Sequence, residues 1–421
     1  MTSWFDRKNI KLPFVLDVSH SLFTKGITTA FGLAASIIVT RTLGPDMYGV
    51  YSLVIIWIGI ILQLGLVGMH SSNSYYVALE RSKLGVLLGN STVFMLLVTA
   101  IVALFLIAAR FVIHIPLGLP EDRFIWIIIL GTLLSLANLV LQNLCIAIKK
   151  VQVNNYVLIT AKTLGFGLLM YFYLTKNLTV NAALIVFLTE IFLTISYLFP
   201  YLMKSESGSM TLSRNQFNES IKYGFRAYLV SIFGFLVIRS DVFLVKYFLD
   251  FEQVGFYSVA VKFSDQVQIL SATIAGILMP RLTMISDINM KKYRTKQVVK
   301  VVAIILLFCI APFLLFGREI ILLLFGDEFL PSVLTLRILL VAVSFLSIQT
   351  LLAQFLASEG LPVQLIYIWG VAFAVNLGLN LVLIPKIGIE GAAISSLISY
   401  ALVLITVFFY LRKTYIGKSS A

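Results

Sequence analysis

Apolar runs of about 18 residues or more, long enough to cross a bilayer as a helix, recur along the whole chain. They predict twelve spans, at residues 18–40, 49–69, 84–109, 124–145, 156–174, 180–200, 222–248, 254–280, 299–316, 333–356, 362–384 and 391–411. Alternating segments of about ten residues, the mark of a membrane barrel, do not stand out. The expected fold class is therefore an all-α polytopic membrane protein with about twelve transmembrane helices. Connections as short as 175–179 set neighbouring spans antiparallel.

The polar positions divide this array. The two longest polar connections are 201–221 and 281–298, and the first, with its Lys204-Ser-Glu-Ser-Gly-Ser209 run, follows span six. The predicted organisation is an N-terminal tail at 1–17, a first lobe at 18–200, an inter-lobe loop at 201–221, a second lobe at 222–411 and a tail at 412–421. A weak internal repeat supports two six-helix lobes. After span one the chain reads Arg41-Thr-Leu-Gly-Pro-Asp-Met-Tyr-Gly-Val-Tyr-Ser52, and after span seven Lys246-Tyr-Phe-Leu-Asp-Phe-Glu-Gln-Val-Gly-Phe-Tyr-Ser258. Setting Tyr51-Ser52 on Tyr257-Ser258 places Gly49 on Gly255 and Leu43 on Leu249. Each copy reads as a hairpin between antiparallel spans, with a basic residue before its turn. Parallel repeats of this kind are common in transporters.

Composition sharpens the class. Of the 421 residues 60% are hydrophobic and only 12% charged, with a mean hydropathy of +0.99, far from the charged surface a soluble domain needs. The net charge of +13 comes from 32 Lys and Arg against 19 Asp and Glu. Nineteen of the basic residues fall in the two tails and alternate connections, seven in the others and six inside spans. That asymmetry orients the chain by the positive-inside rule. It predicts a multi-pass protein of the cytoplasmic (inner) cell membrane with both termini cytoplasmic. Loop bases of this kind face anionic membrane lipid rather than nucleic acid.

Enzymatic chemistry finds no foothold. Cys145 and Cys309 are far apart and His20, His70 and His114 are scattered, so neither a metal set nor a disulfide framework is expected. The phosphate-cradling Gly-x-x-x-x-Gly-Lys-Ser/Thr loop and the Gly-x-Ser-x-Gly elbow are both missing from the sequence. No cofactor is expected, and the chain is read as a non-enzyme. Asn376 and Asn380, four apart in span eleven, are read as interhelical hydrogen-bonding residues.

The chemistry sits in charges inside the spans. The bases are Lys25, Lys162, Arg226, Arg239, Lys262 and Arg337; the acids are Glu190, Asp241 and Asp265. Lys262 and Asp265, at i,i+3, are expected to pair. Lys246, near the end of span seven, is expected to snorkel to the outer edge, and Arg337 to anchor at an interface. A central, unpaired cation costs about 2.5 kcal/mol or more in lipid and so faces a polar interior. Lys25, Arg226, Arg239, Lys162 and Lys262 are the candidate ligands for an anion, for which phosphate suits both Arg and Lys. Asp241, Glu190 and Asp265 are the candidates for coupling to a proton or sodium gradient, or for neutralising a cavity cation. Outward movement of a negative charge is also favoured by an inside-negative potential, by about 2.3 kcal/mol per 100 mV.

Several segments resemble one family, the polysaccharide-biosynthesis transporters or lipid-linked oligosaccharide flippases of the multidrug/oligosaccharidyl-lipid/polysaccharide superfamily. They are the Arg41–Ser52 hairpin, Arg239-Ser-Asp241 followed by Val254-Gly-Phe-Tyr-Ser-Val-Ala-Val-Lys262, Phe325-Gly-Asp-Glu-Phe329 and Leu383-Ile-Pro-Lys-Ile-Gly-Ile-Glu-Gly-Ala-Ala393. The similarity runs from about residue 18 to 411, in the family's order. It implies two six-helix lobes around a central cavity that opens alternately to each side. It also implies a short glycan on a polyprenyl phosphate or pyrophosphate as substrate, moved to the outer leaflet, with other polysaccharide-assembly proteins as partners. Twelve spans favour the surface-glycan branch over the peptidoglycan-precursor branch, which has two more. Two rivals are an organic-cation antiporter of the same fold, which needs carboxylates to dominate its cavity, and a membrane glycosyltransferase or polymerase.

Overall fold

The computed structural model describes residues 12–114, 118–205, 210–360 and 362–416. They form long helices, named in order α1 (Leu12–Gly65), α2 (Met69–Leu79), α3 (Leu84–Ile107), α4 (Arg123–Ala147), α5 (Val151–Leu174), α6 (Val180–Ser205), α7 (Arg214–Phe248), α8 (Phe251–Thr283), α9 (Ile288–Phe325), α10 (Ser332–Ser358), α11 (Gln364–Ile387) and α12 (Ile389–Leu411). Only a helix or a closed barrel satisfies every backbone N–H and C=O inside hydrocarbon. Among the described residues no strand occurs.

α1 is two spans in one. Gly44, at φ 69° and ψ 174°, interrupts it, and Pro45 opens the second half. Glycine tolerates the positive φ, and proline needs no hydrogen-bond acceptor in a first turn. With α1 counted as two, and α2 set aside as too short, the described residues hold twelve helices of membrane length. Among the described residues nine helical stretches, with α1 counted once, qualify on length and apolarity alone. α7 and α8 are not among them; Arg226, Arg239, Asp241 and Lys246 lie within α7, and Lys262 and Asp265 within α8.

Several helices outrun the predicted spans. α9 begins at Ile288 and ends at Phe325, well outside 299–316. α6 reaches Ser205 and α7 starts at Arg214, so much of the predicted inter-lobe loop is helical. Hydropathy marks the part of a helix that lies in lipid, whereas hydrogen bonding carries the helix on into water. Caps set the real starts: the Asp250 side chain accepts from the Gln253 N–H at 2.8 Å, and Asp287 from the Asn289 N–H at 2.9 Å. The short α2 escapes a reading by hydropathy, since His70, Ser71, Ser72, Asn73 and Ser74 dilute any apolar run.

The chain divides into two compact units: residues 1–42 with 57–228, and 43–56 with 229–421. The first unit is built on α2, α3, α4 and α6, whose core includes Leu66, Leu88, Leu144 and Leu198. Asn90 on α3 anchors the approach to α7 within this unit: its amide donates to the Ser213 carbonyl at 2.9 Å and accepts from the Ser213 N–H at 3.1 Å. The second unit wraps α7–α12 around Val237, Leu306, Leu346, Trp369 and Val403. Residues 43–56, inside the first predicted lobe, pack with this second unit. Large apolar side chains such as Leu104, Leu174, Phe308 and Leu323 remain exposed, as suits helices whose solvent is lipid tails.

Candidate functional site

Five of the charges inside the spans gather in two places. In the second unit, Arg239 and Asp241 sit two residues apart on α7, facing α8 and α12. Asp241, 1% exposed, is enclosed by donors: the Tyr257 hydroxyl from α8, the Ser396 hydroxyl from α12 at 3.2 Å, and the Val242 N–H at 2.8 Å. A carboxylate this far from water is tolerable only with such partners. Tyr257 and Ser396 are fully buried, and Tyr400 is buried one turn beyond Ser396.

Arg239 binds elsewhere. Its Nη2 donates to Asp265 Oδ2 of α8 at 2.8 Å, in a pair 25% and 34% exposed. This corrects the i,i+3 pairing of Lys262 with Asp265: neighbours in sequence on one helix lose to a longer side chain reaching across from α7. Half-buried Lys262 has no carboxylate within ion-pair distance among the described residues. One turn beyond Asp265, Gln268 accepts from Ser347 at 2.8 Å and donates to Thr350 at 3.1 Å, which extends the polar strip onto α10.

The second place is in the first unit. Lys162 on α5 donates to Glu190 on α6 at 2.7 Å, the pair being 26% and 16% exposed. Gly165 leaves room for it, since a β-carbon there would overlap the Glu190 side chain. Lys25 stands exposed on α1 in the same unit, without an acidic partner among the described residues. Arg226 lies on α7, and its side chain falls outside the described residues. Lys246 sits 3.7 Å from the centre of the Phe251 ring, a cation–π contact at the α7–α8 turn.

The structure thus brings Arg239, Asp241 and Asp265 together and adds Tyr257 and Ser396. Tyr257 had a trace in the sequence, as part of the repeated Gly-x-Tyr-Ser hairpin; Ser396 had none. Asn376 and Asn380 bond to each other within α11 at 3.0 Å, not across helices as expected, and both are fully buried. Cys145 and Cys309 are free. Among the described residues no three His, Cys, Asp or Glu side chains gather into a metal-binding group.

Comparisons with known proteins give this geometry its place. Residues 15–286 match the family described as polysaccharide biosynthesis protein. A relative from Haloferax volcanii, named as the probable low-salt glycan biosynthesis flippase Agl15, is 27% identical over 192 residues. That alignment spans 45% of this chain and 40% of the relative. Among solved structures, an inward-facing multidrug resistance MATE family transporter of the MOP superfamily superposes with a TM-score of 0.76 at 15% identity, covering 94% of this chain and 96% of the other. A point mutant of VcmN, a MATE transporter of Vibrio cholerae, gives 0.64 at 16% identity over 97% of both chains. The match over residues 15–286, most of the sequence, makes the chain a member of the polysaccharide biosynthesis protein family, a multi-pass helical membrane protein whose fold is shared with these transporters.

Proposed function

We propose that this protein is a flippase that moves a polyprenyl-phosphate- or pyrophosphate-linked oligosaccharide from the cytoplasmic to the outer leaflet by alternating access. One observation carries the anionic substrate. All three carboxylates inside the spans are engaged, Glu190 by Lys162, Asp265 by Arg239 and Asp241 by Tyr257 and Ser396. Lys25 and Lys262 have no acid among the described residues. An anion answers that excess; an organic cation would add to it. The family's description and the Haloferax relative's name favour a lipid-linked glycan as the bearer of the phosphate.

The Arg239–Asp265 pair suggests how cargo and counter-ion exchange. A phosphate competes well for a guanidinium, since both can bond in bidentate fashion. Taking Arg239 from Asp265 would leave a partly buried carboxylate without its cation, ready to accept a proton or a sodium ion. Binding of the substrate and of the coupling ion would then be linked through one shared arginine. Lys25, Arg226, Lys162 and Lys262 are the further candidate ligands for the anion. Asp241 and Glu190 are the alternative coupling sites.

Arg239→Ala and Arg226→Ala, expressed at normal levels, should each lower surface-glycan export at least tenfold, a loss of about 1.4 kcal/mol or more. Full export by both variants would defeat the proposal. Proteoliposomes separate it from the antiporter of the same fold. Translocation of a lipid-linked oligosaccharide, without efflux of organic cations such as ethidium, is the expected result.

A further inference from the structure

The second unit carries a feature that the transport reading leaves unused. α9, α10 and α12 leave between them a groove of about 790 Å³. Leu352 and Phe355 of α10 and Leu404 and Phe408 of α12 make its walls apolar. One end differs. Lys292 and Lys296, four residues apart on α9 and therefore on one face, line that end.

Neither lysine is neutralised. Among the described residues neither has a carboxylate within ion-pair distance, and Lys292 reaches only the Asn289 side-chain oxygen, at 3.4 Å. The adjacent Lys291 shows the contrast: it is buried and bonded to Glu359, which takes up that acid. Lys296 is exposed and Lys292 half-buried, and neither charge is offset by an acid among the described residues.

The same helix places this end at the membrane boundary. Lys291, Lys292, Arg294, Lys296 and Lys300 crowd the first turns of α9, and no charge follows until Arg318. The lysines therefore lie at headgroup depth, while the walls descend into hydrocarbon. By the positive-inside reading this is the cytoplasmic face, where anionic lipids are attracted to such clusters.

We propose that the groove holds an anionic phospholipid of the surrounding membrane, its phosphate on Lys292 and Lys296 and one acyl chain along the wall. A free phosphate has no use for the apolar wall. A zwitterionic headgroup brings its own cation to two uncompensated ammonium groups. The wall from Leu404 to Leu411 on α12 runs only about 10 Å at 1.5 Å per residue, enough for part of an acyl chain and short for a partner helix. The site does not depend on what the protein transports.

Native mass spectrometry of the full chain, released from phosphatidylcholine nanodiscs doped with phosphatidylglycerol, tests the assignment. The wild type should retain phosphatidylglycerol in preference to phosphatidylcholine. Lys292→Gln/Lys296→Gln should weaken that retention on the order of tenfold. Leu352→Trp, which fills the wall and leaves the charges alone, should weaken it as well. Equal retention of the two lipids, or unchanged retention by the lysine variant, would overturn the proposal. So would a loss confined to the lysine variant, which would mean surface adhesion without the groove. Displacement of phosphatidylglycerol by an equal amount of polyprenyl phosphate would assign the groove to that lipid instead.

Discussion

Gly49 and Gly255 lie so close that neither has room for a side chain. A β-carbon on Gly49 would strike the Phe251 carbonyl, and one on Gly255 the Pro45 carbonyl. In the internal repeat Gly49 aligns with Gly255, so Pro45 aligns with Phe251. The two contacts are thus reciprocal, as a local two-fold between the hairpins would make them, and both fall within the second unit.

Substituting either glycine with alanine should force the hairpins apart at about 1–3 kcal/mol, read as a lower unfolding temperature of the purified protein. The double variant should cost less than the two singles added, because the second β-carbon meets a contact already opened. Strict additivity would show that the two sites are independent.

Asp241 depends on its donors. Tyr257→Phe keeps the ring and removes the hydroxyl, at an expected cost of about 1–3 kcal/mol for a buried acceptor losing a partner. Asp241→Asn should cost less than Asp241→Ala, since the amide oxygen can still accept from Tyr257 and Ser396. Thermal unfolding checks the order. Should Tyr257→Phe leave stability unchanged, the hydroxyl is not supporting the carboxylate.

Lys162 and Glu190 form the corresponding test in the first unit. Either single alanine substitution should destabilise by about 1–3 kcal/mol, between the values for exposed and buried pairs. Lys162→Met/Glu190→Gln should recover part of that loss, because no charge is left unpaired. Gly165→Ala should behave like a mild form of the singles by displacing the Glu190 side chain. A double variant worse than both singles would exclude the pair as the source of the effect.

Gly68 and Gly224 meet in the first unit, where a β-carbon on either would collide with the other's backbone. Gly68 also has φ 75°, a conformation that alanine reaches only under strain. Gly68→Ala should therefore be the more destabilising of the two, by about 1 kcal/mol. Equal unfolding temperatures would show that backbone strain adds nothing there.

Much of this molecule is legible in one dimension. The length of an apolar run is a local property, and the bilayer converts it directly into a helix count. The hairpin repeat is local too, and it contains Gly49, Gly255 and Tyr257. Arg239, Asp241 and Asp265 stood out for the same reason, as charges within apolar stretches.

What the sequence could not settle is which charge meets which. Asp265 has Lys262 one turn away along its own helix, yet it bonds to Arg239 on α7. Asp241 is enclosed by residues 16 and 155 positions away in the chain. The ends of α9 and the existence of α2 were likewise set by caps and packing. Such pairings depend on the rotation and axial offset of neighbouring helices, which many weak contacts fix together. Sequence alone therefore determined a twelve-span helical membrane protein with charged hairpins, and tertiary packing decided which of those charges are committed to one another.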